Sequence, residues 1–320
     1  MNIILGTMNI EYPYTSKTNS IKEYDKIIKK YIKNVNNPIL DTAYYYGNTK
    51  TEQILGEILK DIDKKPILAT KANPWFENDF TNGIFGNLSK YNLERQLNTS
   101  LFNLKVSNVD IFYLHCFDYQ TSLLETLEKC DELWRKEKFN KLGISNFSKD
   151  QLEVILNLSE KHLLNEPSLY QGMYNLISRK IEEIFPILDD HKIDFWAYNP
   201  LAGGLLTAKY INNNLSCNSR FKDNKIYQNI FWKEPILNNL NYLYKSDYYR
   251  NNAIELSYIW LSKYSKLRSN DKIIMGVSDT KQLEYNLNIF KKDYNYSDKI
   301  INDLNNLYSG IEEISPNYFY

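Results

Sequence analysis

Eight short apolar runs recur along the chain: IILGT from Ile3, PILDTA from Pro38, PILATK from Pro66, DIFYLH from Asp110, KLGIS from Lys141, PSLYQG from Pro167, KIDFWAY from Lys192 and DKIIMGVS from Asp271. Each is nearly continuous in hydrophobicity, as befits a parallel strand buried on both faces. Between the runs, apolar residues return at helical period, as at Leu93, Leu97, Leu101 and Leu104, or Leu123, Leu124, Leu127, Cys130, Leu133 and Trp134. Alternation of strand and helix without strand doublets predicts a parallel sheet, and eight units predict its closure into a (β/α)8 barrel. The competing open doubly wound sheet wants a G-x-G-x-x-G turn after its first strand, and that turn is absent from the sequence.

A chain of 320 residues fits one TIM barrel, since such barrels run from about 200 to beyond 400 residues as a single domain. No Pro/Ser-rich linker or internal repeat interrupts it, so the expectation is one domain over residues 1–320. The rhythm breaks once, between Tyr198 and Lys272, where a long loop plus a helix is expected to cover a ligand at the barrel mouth. The tract NYLYKSDYYRNN within it reads as compositional drift across loops. Hydrophobic residues at 43% and charged residues at 24% mark a globular chain, and equal counts of Lys plus Arg and Asp plus Glu, 39 each, remove the basic footprint of a nucleic-acid binder. Cys116, Cys130 and Cys217 are odd in number and widely spaced, which points to neither a disulfide framework nor a zinc site. The opening MNIILGTMNIEYP has no basic leader, and no apolar run reaches membrane-spanning length, so a cytoplasmic protein without a membrane partner is expected.

In a barrel, polar residues at the C-terminal ends of strands converge on one mouth. Asp41, Lys71 and His115 end the second, third and fourth runs, and Tyr46 follows Asp41 in DTAYYYGN. A tyrosine acting as general acid needs its pKa brought down from about 10, at a cost of up to ~4 kcal/mol. Lys71 is a cation able to favour tyrosinate, Asp41 can hold that lysine in place and charged, and His115 can donate a hydrogen bond to a carbonyl oxygen. Taken singly, each has a plainer reading: one tyrosine among 27, an aspartate capping a turn, a lysine or histidine on a solvated rim. Complementary groups at the ends of three consecutive strands form a proton donor for carbonyl reduction.

With these residues on the page, the chain resembles the aldo-keto reductases, most closely their aflatoxin-aldehyde reductase branch. The resemblance is carried by GTM from Gly6, DTAYYYGN from Asp41, ATKANPW from Ala69, FYLHCFD from Phe112, GISNFS from Gly143, YQGMYN from Tyr170, FWAYNPLAGGLLTAKY from Phe195, FWKE from Phe231 and SPNYFY at the C-terminus. It implies a catalytic tetrad of Asp41, Tyr46, Lys71 and His115, and NADPH as the hydride donor. It implies that Ser145, Asn146 and Gln171 hold the nicotinamide carboxamide and that Tyr198 stacks on its ring. Met8, Asn199, Leu201, Gly203 and Lys209 would serve the rest of the cofactor, with Gly203 and Gly204 letting the backbone approach the pyrophosphate. Ser278, Gln282 and Asn286 match the site of the adenosine 2′-phosphate. Members of the family often carry an arginine where Gln282 stands, which leaves Arg220 and Lys281 to supply positive charge. By the same resemblance the protein acts on small carbonyl compounds and forms a homodimer.

Two other functions use the same residues. Lys71 as a Schiff-base former would make an aldolase-like lyase, leaving the amide trio and Tyr198 without a task. A catalytically silent NADPH-binding subunit, of the kind that accompanies ion channels, would keep the cofactor residues but has no need of a filled tetrad. For the substrate pocket, Trp75, Trp232 and Phe319 offer aromatic walls. The branch has an arginine before FWKE and another at the end of the NYF segment, and this chain has Ile230 and Tyr320 there. Neither can hold a carboxylate bidentately, so neutral aldehydes are the expected substrates, with Lys233 the one remaining cation.

Overall fold

The computed structural model describes residues 3–10, 21–76, 86–211, 221 and 224–319. All eight runs are strands: β1 (Ile3–Gly6), β2 (Ile39–Asp41), β3 (Ile67–Ala72), β4 (Val109–Leu114), β5 (Phe139–Ser145), β6 (Leu169–Met173), β7 (Asp194–Tyr198) and β8 (Lys272–Met275). They pair in sequence order and close, β8 returning to β1 with Ile273 opposite Ile3. Every pairing is parallel. The architecture is the expected (β/α)8 TIM barrel.

The barrel has two apolar compartments because side chains alternate across each strand. Ile4, Ile39, Ala69, Ile111, Tyr113, Leu169, Trp196 and Ile274 fill the interior. Their neighbours Ile3, Leu5, Leu40, Leu68, Phe112, Tyr170 and Phe195 face outward and pack against the helices. Two residues beyond Ile39, Ala69, Leu169 and Trp196 stand Asp41, Lys71, Gln171 and Tyr198, which therefore share the inward parity and sit at the C-terminal mouth. Interior crowding also explains Gly143, paired with Tyr113 in the β4–β5 register: a Cβ there would lie 2.3 Å from the tyrosine Cε1.

The helix α1 (Ile21–Asn34) shows how the outer layer is built. Tyr24, Ile27, Ile28, Tyr31 and Ile32 are buried, the stripe that 3.6-residue periodicity gives to one face. Tyr31 Oη donates to the Ile3 carbonyl at 2.8 Å and accepts from the Ile39 amide at 3.2 Å, tying β1 to β2. The helices α2 (Lys50–Lys60), α3 (Lys90–Leu104), α4 (Leu123–Arg135), α5 (Lys149–His162) and α6 (Phe185–Asp190) follow between successive strands. No helix among the described residues is long and apolar enough to cross a membrane.

One expectation is corrected. The segment between β7 and β8 is not a long loop plus a helix; its described part holds a 3-10 turn at Ala202–Thr207 and helices at Lys225–Phe231, Glu234–Leu243, Asp247–Asn251 and Ala253–Ile259, the last running into a π turn at Trp260–Tyr264. Most of NYLYKSDYYRNN is likewise helical. Local start signals account for the breaks: Asn224 accepts from the Ile226 and Tyr227 amides, and Pro235 stands in the first turn of its helix. Glu234–Leu243 buries only Ile236, Leu237 and Leu240, and Asp247–Asn251 buries none, so no stripe is long enough to show in the sequence.

Candidate active site

Lys71 lies at the centre of the mouth. Its ammonium donates to both oxygens of Asp41 and to the Thr42 carbonyl, each at 2.8 Å. Lysine and aspartate are both buried. Burial pulls the lysine pKa below its ordinary value, while Asp41, and more weakly Glu52, hold it up; three acceptors around one ammonium keep the cation paired. Gln171 Nε2 donates to Asp41 Oδ1 at 2.8 Å, locking the carboxylate from the β6 side.

Two tyrosine rings flank this ammonium, with centroids 5.2 Å (Tyr46) and 5.7 Å (Tyr113) from Nζ. Tyr113 is fully buried, and burial raises its hydroxyl pKa well above normal, so it stays a neutral interior phenol. Tyr46, on the turn after β2, is half-buried. It is the tyrosine that a ligand at the mouth can reach.

His115 follows β4, its backbone amide bonded to the Ala72 carbonyl at 2.8 Å. Its ring sits edge-on to Tyr46 with centroids 6.0 Å apart and lies 5.2 Å from Trp75, which in turn meets Tyr45 at 5.3 Å. The side chain is half-buried, but its Nδ1 is shielded and lacks a hydrogen-bond partner. Burial, with Lys71 adding to it, pushes the imidazole pKa down to about 3. A neutral histidine, aromatic walls and a cation-flanked phenol thus share one small space.

Beside this cluster, Asn146 is used on both ends of its amide. Nδ2 donates to the His115 carbonyl (2.9 Å) and to Ser145 Oγ (3.1 Å), and Oδ1 accepts from Tyr198 Oη (2.7 Å). Asn146 adopts φ 61°, a left-handed conformation that asparagine tolerates better than most residues. Beyond β7, Asn199 Oδ1 caps the Gly203 amide at 2.6 Å, and Gly204 takes φ 100° with nothing nearer to a would-be Cβ than Tyr210 Oη at 3.9 Å. The backbone there is open to close approach. Leu201 and Met8 are half-buried, and Lys209 is exposed.

The remaining expected positions are placed less directly. Ser278 donates its amide to Gln282 Oε1 at 3.0 Å, whereas Asn286 is buried with Nδ2 3.4 Å from Tyr258 Oη. Lys281 is exposed. Trp232 packs on Tyr210 and Phe221 (5.7 and 5.3 Å), and Phe319 on Tyr318 (5.1 Å). Ile230 joins the same apolar cluster. Lys233 donates to the Ile314 carbonyl at 2.8 Å, clamping the C-terminal segment. Arg220, Cys217 and Tyr320 lie outside the described residues.

Glu52 was missed by reasoning from the sequence. It is fully buried on α2, and its Oε1 accepts from Thr70 Oγ1, the residue before Lys71, at 2.5 Å. Burial raises its pKa to about 7. A signal was present: Glu52 falls on the buried stripe with Leu55, Gly56 and Leu59, where an acid is out of place.

Known proteins resemble this chain over most of its length. The model of the aldo/keto reductase family matches residues 2–309. The chain is 34% identical to aflatoxin B1 aldehyde reductase member 2 of Rattus norvegicus, covering 88% of this chain and 78% of that protein. It is 33% identical to aflatoxin B1 aldehyde reductase member 4 of Homo sapiens, covering 88% and 87%. Among solved structures, an aldo/keto reductase of Klebsiella pneumoniae, determined with NADP and acetate, aligns with TM-score 0.68 at 19% identity over all of this chain and 93% of its own. With the family model spanning nearly every residue and relatives above 30% identity over most of their length, the chain belongs to the aldo/keto reductase family.

Proposed function

We propose that the protein is an NADPH-dependent carbonyl reductase in which Tyr46 is the general acid. The observation that carries this reading is the Lys71 ammonium, held by Asp41 and Thr42 and set 5.2 Å from the centre of the one flanking tyrosine ring that the mouth can reach. A reduced nicotinamide, when bound, supplies the hydride to the carbonyl carbon. The chain's own residues fit such a group. Gln171 gives one N–H to Asp41 and retains its carbonyl as an acceptor, Ser145 offers a hydroxyl on the neighbouring strand, and Gly204 leaves the backbone bare. The relative from Klebsiella pneumoniae with NADP bound supports the same cofactor class.

The proton bookkeeping falls to the protein. Tyr46 holds a proton on Oη and releases it to the carbonyl oxygen as that oxygen gains electron density, producing an alcohol; solvent then reprotonates the tyrosinate. Lys71 stabilises the tyrosinate by Coulomb attraction, undiminished by water in the buried site. His115, neutral by burial, can donate one N–H to the carbonyl oxygen without placing a second full charge beside Lys71. Trp75 and Tyr45 exclude water from one side. By resemblance, Ser278, Gln282, Asn286 and Arg220 read the 2′-phosphate and two copies form a homodimer; residues 1–320 act as one domain, and the cytoplasm is the place of action.

The test mixes the protein with NADPH and 4-nitrobenzaldehyde and follows the near-ultraviolet absorbance of the reduced nicotinamide. Wild type is expected to consume it, and Tyr46→Phe to bind NADPH by fluorescence quenching with turnover reduced at least ~10²-fold. Undiminished turnover in Tyr46→Phe would sink the assignment of the acid; binding without turnover in wild type would make the protein a silent cofactor-binding module.

A further inference from the structure

At the start of the helix Thr280–Ile289, which follows β8, the chain supplies its own acceptors to the amides that such a helix end presents. Asp279 caps the helix by accepting from the Gln282 amide at 2.8 Å, and Gln282 Oε1 accepts from the Ser278 amide at 3.0 Å. The third acceptor comes from another element. Glu23, in the first turn of α1, accepts from both the amide and the hydroxyl of Thr280, each at 3.1 Å. The bond from the Thr280 amide is the main cause that holds the Glu23 pKa below the usual carboxylate range. Of the nearby lysines, Lys26 stands 3.6 Å from Glu23 and Lys30 pairs with Glu284, while Lys281 is exposed.

We infer that Glu23 is a specificity-determining residue for the cofactor, a carboxylate that stands where an adenosine 2′-phosphate would otherwise be received. This rests on the reading of Ser278, Gln282 and Asn286 as the phosphate corner. An anion arriving there meets two carboxylates, Glu23 and Asp279, and competes with Glu23 for the amide and hydroxyl of Thr280. A cofactor with a bare ribose carries no charge at that position and meets no such opposition. Glu23 therefore lowers the preference for NADPH that Ser278, Gln282 and Asn286 would otherwise give, and it does so from α1, far in sequence from the loop that would contact the phosphate.

The experiment measures dissociation constants for NADPH and NADH by fluorescence quenching at fixed salt, in wild type, Glu23→Gln and Asp279→Asn. Glu23→Gln keeps an acceptor for Thr280 while removing the charge. It is expected to tighten NADPH about five- to tenfold, the scale of one close like-charge pair, with NADH unchanged. Asp279→Asn retains a capping side chain and is expected to move the ratio in the same direction, which keeps the test decisive if one variant folds poorly. An NADPH to NADH ratio unchanged in both variants, with both nucleotides bound, would overturn the inference and leave the reductase reading standing. A wild type that binds neither nucleotide would overturn that reading and this inference together.

Discussion

A phenol serves as an acid near neutral pH only if something pays for its anion, and here that group is Lys71, chelated by both oxygens of Asp41. Asp41, Lys71 and His115 were legible in the sequence as polar residues ending apolar runs, whereas Gln171 came only from the resemblance; in the structure Asp41, Lys71 and Gln171 each stand two residues beyond an interior apolar residue. Tyr46 sits on a turn, where parity says nothing; its place just after Asp41 made it a candidate acid, and the resemblance then singled it out among many tyrosines. Partners such as Asn286 with Tyr258, or Lys233 with the Ile314 carbonyl, depend on segments brought together by the fold, and no local pattern announces them. Lys233 is already bonded to the Ile314 carbonyl and isoleucine stands at 230, so neither offers a guanidinium to a substrate carboxylate. Wild type is expected to show a clearly higher kcat/KM for 4-nitrobenzaldehyde than for succinic semialdehyde, and Ile230→Arg to narrow the ratio about tenfold through a charge-assisted pair. A wild type that prefers succinic semialdehyde would show the pocket reading to be wrong.

At the scale of elements, α2 carries a buried acid that bears on stability. Burial raises the Glu52 pKa to about 7, from the ordinary glutamate value of about 4.5. The folded protein thus holds that proton more tightly than the unfolded chain does, and the associated stability is fully present below about 4.5 and lost as pH rises through about 7. The size is about 3 kcal/mol. Denaturant unfolding at pH values on either side of this window should show wild type weakening at the higher pH and Glu52→Gln losing most of that slope; a variant with the wild-type slope would exclude Glu52 as its source. Helices such as α3 and α4 were visible because one long face repeats at helical period. The helices between β7 and β8 were not, because each is short, leaving a period little room to establish itself, and the first two start at a local cap or a proline.

For the molecule as a whole, the barrel was legible because eight buried strands leave eight apolar runs, and closure follows from their count and order. Closure is also what makes the site. It brings the ends of β2, β3, β4 and β6 to one mouth, so that Asp41, Lys71, His115 and Gln171 meet although Gln171 is 130 residues from Asp41. The dependence of the acid on the lysine is therefore the property on which fold and chemistry both bear. The most direct measurement is the pH dependence of kcat for 4-nitrobenzaldehyde reduction in wild type and Lys71→Met, with NADPH saturation confirmed by fluorescence. In wild type, the fall in rate on the basic side should lie well below the ordinary tyrosine pKa of about 10, and in Lys71→Met it should move toward that value as kcat drops at least ~10²-fold. A Lys71→Met variant whose basic limb and kcat match those of wild type would contradict the assignment of Lys71 as the cation that makes Tyr46 an acid.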